Sequence, residues 1–164
     1  MFKAVIFDLD GTLLDLPINY PDIYKKFSEL TGITEIKSLL KTVEQIKDPQ
    51  ILRQVFDTWT DFEVAIIDKI SIHEEGMYFY RQYTELPKAL VTMQGKETVR
   101  RIYQKFDLQF DAVFTREDSF NRTEQLKLAM TKLGFTPPDT LFIGNLDNDE
   151  NAAKQAGCQF IKVK

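Results

Sequence analysis

Cysteine and histidine are nearly missing from this chain, at one each: Cys158 and His73. A single thiol excludes an intrachain disulfide and a cysteine-based zinc site, and a single imidazole excludes a histidine-rich metal cluster. No apolar run approaches the roughly 20 residues of a membrane span. Met1-Phe2-Lys3 leads straight into a strand-like segment, so no secretory leader is expected. Lys/Arg-rich runs are missing too. With 21 basic against 25 acidic residues, a net charge of −4, the chain offers no general attraction for nucleic acid or an anionic membrane. The expectation is a reduced, soluble, cytoplasmic protein with no nucleic-acid or membrane partner. Nothing in the sequence bears on oligomeric state.

What is present suits one globular domain carrying a modest insertion. The chain has 164 residues, 43% of them hydrophobic and 28% charged, enough to bury a core. Five short apolar segments read as strands buried on both faces: Lys3–Asp8, Lys88–Thr92, Asp111–Thr115, Thr140–Gly144 and Gln159–Val163. Helical spacing separates the later ones, in Val99, Ile102, Tyr103 and Phe106, and again in Leu126, Ala129, Met130 and Leu133. Asn121 with Glu124 three positions on reads as a capping box. Gly134 and Gly157 sit where helix ends want a left-handed residue. Strands alternating with helices predict an α/β fold with a doubly wound parallel sheet.

From Leu16 to about Ile72 that alternation stops. Ile36, Leu39, Leu40 and Val43, then Leu52, Val55, Phe56 and Trp59, keep helical spacing with almost no strand signal, and Pro17, Pro21 and Pro49 punctuate the stretch. It reads as a small helical cap, residues 16–72, inserted after the first strand of a core made of residues 1–15 and 73–164. Trp59 reads as cap core, His73 as a hinge or surface residue, and Cys158 as a buried small side chain.

The chemistry concentrates in "KAVIFDLDGTLLD", Lys3–Asp15. Side chains at i and i+2 of a strand share a face, so Asp8 and Asp10 project together if strand geometry persists past Phe7. In open α/β sheets, ligands bind beyond the carboxyl ends of the strands. Two carboxylates there repel, which a bound Mg²⁺ would relieve. A carboxylate oxygen of Asp8 could then attack phosphorus while Asp10 handles a proton. The plainer alternative is a solvated turn closing a strand.

"VIFDLDGTLLD" resembles the first motif of the haloacid dehalogenase-like (HAD) hydrolase superfamily, in its phosphatase, phosphoglycolate phosphatase-like branch. "KALVTMQGKE" is similar to the second motif, "TLFIGNLDNDENAAKQAG" to the fourth, and "LQFDAVFTRED" to the strand and loop between them. The resemblance covers Met1–Asp15 and roughly His73–Lys164. It implies that Asp8 is a nucleophile forming an aspartyl-phosphate. Asp10 would protonate the leaving group and then activate water, its main-chain carbonyl touching Mg²⁺. Thr92, with backbone N–H groups of Leu9 and Met93, would hold the phosphoryl oxygens of a small phosphorylated metabolite.

Two departures stand out. The family's third motif is usually Lys-Pro before a helix, and none occurs here. Arg122 falls near that place and can offer a cation to phosphate. Lys127, five residues on, is rotated by about 140° on a helix, and Arg122 is favoured. The fourth motif normally begins Gly-Asp, but here it is Gly144-Asn145, one negative charge fewer at a hard-cation site. The implied metal ligands are thus Asp8, Asp10, Asn145 and Asp149, with Asp147 an extra acid in the same loop. Three functions compete: a Mg²⁺-dependent phosphatase, a degenerate relative that binds a ligand or partner without turnover, and a response-regulator-like phosphoacceptor. The Asp-x-Asp-Gly-Thr order and the insertion argue against the third.

Overall fold

The computed structural model describes residues 2–164. At its centre is a five-stranded parallel sheet built from β1 (Ala4–Phe7), β4 (Lys88–Val91), β5 (Ala112–Phe114), β6 (Thr140–Gly144) and β7 (Gln159–Lys162). The order is β5-β4-β1-β6-β7, with Phe7 beside Leu90 on one side and Ile143 on the other. All five strands expected from apolar runs are present, so the fold class is as the sequence implied.

Alternate residues of the central strand feed two cores. Val5 and Phe7 pack with Val99 and Ile102 of α5 (Lys96–Phe106) and Met77 of α4 (Glu74–Gln82). Ile6 packs with Leu126, Ala129 and Met130 of α6 (Arg122–Leu133) and Ala152 and Ala153 of α7 (Asp147–Ala156). Both faces are covered, which is why the strands read as continuous apolar runs. Gly134 and Gly157 end α6 and α7 at φ of 79° and 82°, as left-handed caps. Half-buried Cys158 packs beside the second core.

The insertion holds three helices around a core of its own, in which Ile23, Phe27, Leu39, Val43, Val55 and Trp59 are buried. Asn19 caps α1 (Tyr20–Thr31), Ser38 caps α2 (Leu39–Gln45), and Asp48 caps α3 (Pro49–Ala65), whose Pro49 sits where a missing N–H costs nothing. Ile36, expected within a helical run, precedes the α2 cap.

Three further features were not anticipated. Leu14–Asp15 (β2) and Ser71–Ile72 (β3) pair antiparallel at the base of the insertion, strands too short for an alternation pattern. Helix α4 follows directly, its N-terminus capped by His73, whose Nδ1 accepts from the Gly76 N–H at 3.4 Å. The capping box at α6 is only half made. Asn121 accepts from the Glu124 N–H, but the Glu124 carboxylate takes the Ser119 hydroxyl instead of returning to Asn121.

Candidate active site

Strand β1 delivers Asp8 to the carboxyl edge of the sheet. The Asp8 N–H still bonds Ile143 O at 2.9 Å, extending the ladder one residue past Phe7. The chain then turns at once, with Leu9 O accepting from the N–H groups of Thr12, Leu13 and Leu14. Gly11 makes the turn possible at φ 69°, and a Cβ there would meet Asn145 Nδ2 at 2.3 Å. Strand geometry therefore does not carry through to Asp10. Its Oδ1 accepts from the Leu16 N–H at 3.0 Å, so what aligns it is the entry to the insertion and not the i, i+2 rule.

Asp8 is 4% exposed. Its Oδ1 accepts from Arg122 Nη2 at 2.8 Å, and its Oδ2 has only a long contact, 3.4 Å, from the Thr12 hydroxyl. Burial pushes its carboxyl up to about 7, against the pull of Arg122 and the Leu9 N–H, with Asp149 adding to the rise. Burial also pushes Asp10 up to about 6, against its bond from Leu16, with the charges of Asp15 and Glu63 reinforcing it.

Arg122 opens α6 and spans two acids, since its Nε lies 3.2 Å from Asp149 Oδ1. Lys127 is exposed, away from them. Asp149, 2% exposed, also accepts from the Leu146 N–H at 3.1 Å. A Cβ on Gly144 would come within 2.8 Å of its Oδ2, so the glycine of the fourth motif makes room for the acid. Asn145 is half-buried, its Oδ1 3.5 Å from the Thr12 hydroxyl. Asp147 is exposed and pairs with Lys162 at 2.5 Å, outside the cluster.

Thr92 follows β4 and is wholly buried, its hydroxyl hydrogen-bonded to the Gln94 side chain. Leu9 is buried and Met93 half-buried. Beside Arg122 and Asp149 opens a cleft of about 480 Å³ that Met93, Leu40, Phe120 and Leu146 also line.

Gln125 escaped the sequence reading. Its amide donates to Thr92 O, Thr115 O and Ser119 O, while its Oε1 accepts from Arg122 Nη1 at 3.0 Å. One buried side chain thus ties the Arg122 guanidinium to the ends of β4 and β5. A glutamine on a helix's inward face has no distinguishing signal in sequence.

The donors that the resemblance assigns to a cation are all oxygen: the Asp8 and Asp149 carboxylates, the Asp10 carbonyl and the Asn145 amide. Hard donors of this kind fit Mg²⁺ with several retained waters. Among the described residues, no three His, Cys, Asp or Glu side chains converge as a metal cluster.

The sequence model of a family described as haloacid dehalogenase-like hydrolase matches residues 5–163. The chain belongs to this hydrolase family. Among curated HAD-like relatives, the phosphoglycolate phosphatase of Salmonella typhi is 28% identical, over 95% of this chain and 79% of its own length. The pyrophosphatase PpaX of Halalkalibacterium halodurans is 29% identical, over 94% and 80%. Among solved HAD-like structures, CbbY from Rhodobacter sphaeroides, in complex with phosphate, shares the fold at a TM-score of 0.76 and 18% identity, covering 99% of this chain and 86% of its own. A HAD-superfamily hydrolase of subfamily IA from Geobacter sulfurreducens superposes at 0.68, also at 18% identity, covering 99% and 89%. No helix among the described residues is long and apolar enough to cross a membrane.

Proposed function

We propose that this HAD-like hydrolase is a Mg²⁺-dependent phosphatase of a small phosphorylated metabolite, acting through an aspartyl-phosphate. The observation that carries the reading is the state of Asp8. It is buried at the sheet edge, one oxygen is held by Arg122, and the other is nearly free. In the first step the free oxygen forms a bond to phosphorus as the ester P–O bond breaks. Asp10, whose burial raises its carboxyl to about 6 and so eases its protonation, gives a proton to the leaving oxygen. In the second step Asp10 takes a proton from water, the water oxygen bonds phosphorus, and the Asp8–phosphorus linkage breaks. Thr92 and the N–H groups of Leu9 and Met93 hold the phosphoryl oxygens, and Arg122 supplies positive charge. For Thr92 to do so, its hydroxyl must leave Gln94.

Asp8, the Asp10 carbonyl, Asn145 and Asp149 would hold Mg²⁺, which supplies charge neutralisation for the phosphoryl group. Residues 16–72 act as the cap that closes over a core of residues 1–15 and 73–164. The relatives named as phosphoglycolate phosphatase and pyrophosphatase support a small, phosphate-bearing substrate.

A second reading, binding without turnover, draws on Asn145, whose neutral amide weakens the cation site. Hydrolysis of p-nitrophenyl phosphate with Mg²⁺ and with EDTA decides between them. Turnover that EDTA abolishes is the expected result. A protein that binds orthophosphate yet hydrolyses nothing, whichever divalent cation is added, is the second kind.

A further inference from the structure

Glu63 of α3 and Arg116, two residues beyond β5, form an ion pair at 2.5 Å in which both side chains are wholly inaccessible, the only such pair among the described residues. A buried pair of opposite charges adds little stability over an apolar pair of the same volume. Its burial is explained by what the two groups hold.

Helix α5 begins at Gly95, which has no side chain with which to cap it. Glu117 takes the Lys96 N–H at 3.2 Å, and Glu63, from the insertion, takes the N–H of the cap residue itself. Its Oε2 accepts from the Gly95 N–H at 3.1 Å and from the Thr98 hydroxyl at 2.7 Å. An anion there also faces the positive end of the helix dipole. Arg116 completes the link. Its Nη1, besides meeting Glu63, donates to Met93 O at 3.2 Å, and its Nη2 donates to Thr60 Oγ1 at 2.9 Å. The guanidinium lies over the Trp59 ring, 4.3 Å from its centroid. A Cβ on Gly95 would come within 2.7 Å of Arg116 Nη2, so the glycine is what admits the arginine. Three residues of α3 therefore grip one cation that reaches the carbonyl of Met93.

We propose that Glu63 and Arg116 are positioning residues that couple the seat of the cap helix α3 to the Met93–Gly95 turn. By holding the Met93 carbonyl and the Gly95 N–H, they keep the turn that presents the Met93 N–H to the phosphoryl group only while α3 is docked. This rests on the phosphatase reading above, in which Thr92 and Met93 face phosphate. Neither residue touches the reacting atoms; each acts through the turn.

The test uses the full chain and the double variant Glu63→Leu/Arg116→Met, which removes both charges together and leaves none buried alone. Steady-state kinetics with p-nitrophenyl phosphate, melting temperature and amide hydrogen exchange over residues 93–98 are measured. Misorientation of a phosphate-holding group should lower kcat by about tenfold or more, with KM changed less than about threefold. Exchange at the Gly95 amide should rise by about tenfold or more, as its acceptor is gone. A shifted melting temperature with kcat and exchange unchanged would mean a merely structural pair and would overturn the proposal. If the double variant does not fold, Glu63→Gln replaces it. Its amide keeps the size but offers one acceptor oxygen to two sets of donors, so the same losses are expected, and full kcat with unchanged exchange overturns the proposal. A wild type that hydrolyses nothing, with exchange still rising in the variant, fails the phosphatase reading and leaves the coupling standing.

Discussion

Arg122 and Asp8 are 114 residues apart in the chain and 2.8 Å apart in space. The contact occupies one carboxylate oxygen of Asp8 and directs the guanidinium toward the acid that would carry a phosphoryl group. It also brings Asp149 within reach of the same cation.

The first consequence concerns Asp8 itself. Asp8→Asn keeps the size and the fold but removes the attacking anion, so hydrolysis of p-nitrophenyl phosphate should fall below about a hundredth of wild type. Retained turnover above about a tenth would take the nucleophile's role from Asp8.

Arg122→Ala should weaken inhibition by orthophosphate or vanadate by about tenfold or more, the scale of one charge-assisted contact. Lys127→Ala, on the exposed face of α6, should change it less than about twofold. The reverse ranking would move the phosphate cation to Lys127.

On the proposed reading, Asn145 sets the strength of the metal site. Mg²⁺ gains most from anionic oxygens, so the wild type should need an unusually high Mg²⁺ concentration, and Asn145→Asp should lower it. Asp149→Asn should be more damaging than Asp147→Asn, since Asp149 faces Arg122 while Asp147 pairs with Lys162 outside the cluster. Titrating activity against Mg²⁺ in these variants checks the order. An unchanged titration for Asn145→Asp would show that position 145 does not touch the metal.

Gly76 tests the packing beneath the site. A Cβ there would meet the Thr12 carbonyl at 1.5 Å, through the turn that supports Asp8. Gly76→Ala should cost about 3 kcal/mol or more by overpacking. Gly32→Ala, at φ 73° with open space around it, should cost only about 1 kcal/mol of backbone strain. Urea unfolding of both variants reads the difference, and equal stabilities would refute the contact.

The sheet was legible because β1, β4 and β6 are buried on both faces and so leave unbroken apolar runs. Arg122 was legible from its place at the start of a predicted helix. The rest required tertiary contacts. Gln125 reaches across 33 positions to Thr92 and Arg116 across 53 to Glu63, and no local pattern marks either. Asp10 was placed by a strand rule that lapses at Leu9, where a tight turn takes over.

The antiparallel contact of Leu14–Asp15 with Ser71–Ile72 brings the two ends of the helical insertion side by side, at an ordinary strand spacing of about 4.8 Å. The chain between them enters and leaves by a single doorway. The entropy of closing such a loop grows only as the logarithm of its length, and the register of the parallel sheet is set by strands outside the doorway. Helices other than α3, which Glu63 and Thr60 tie to the core, could be added to or lost from this chamber at little thermodynamic cost to the sheet. Residues of the insertion's outer helices can therefore drift in sequence while Asp8, on the far side of the threshold, stays where it is.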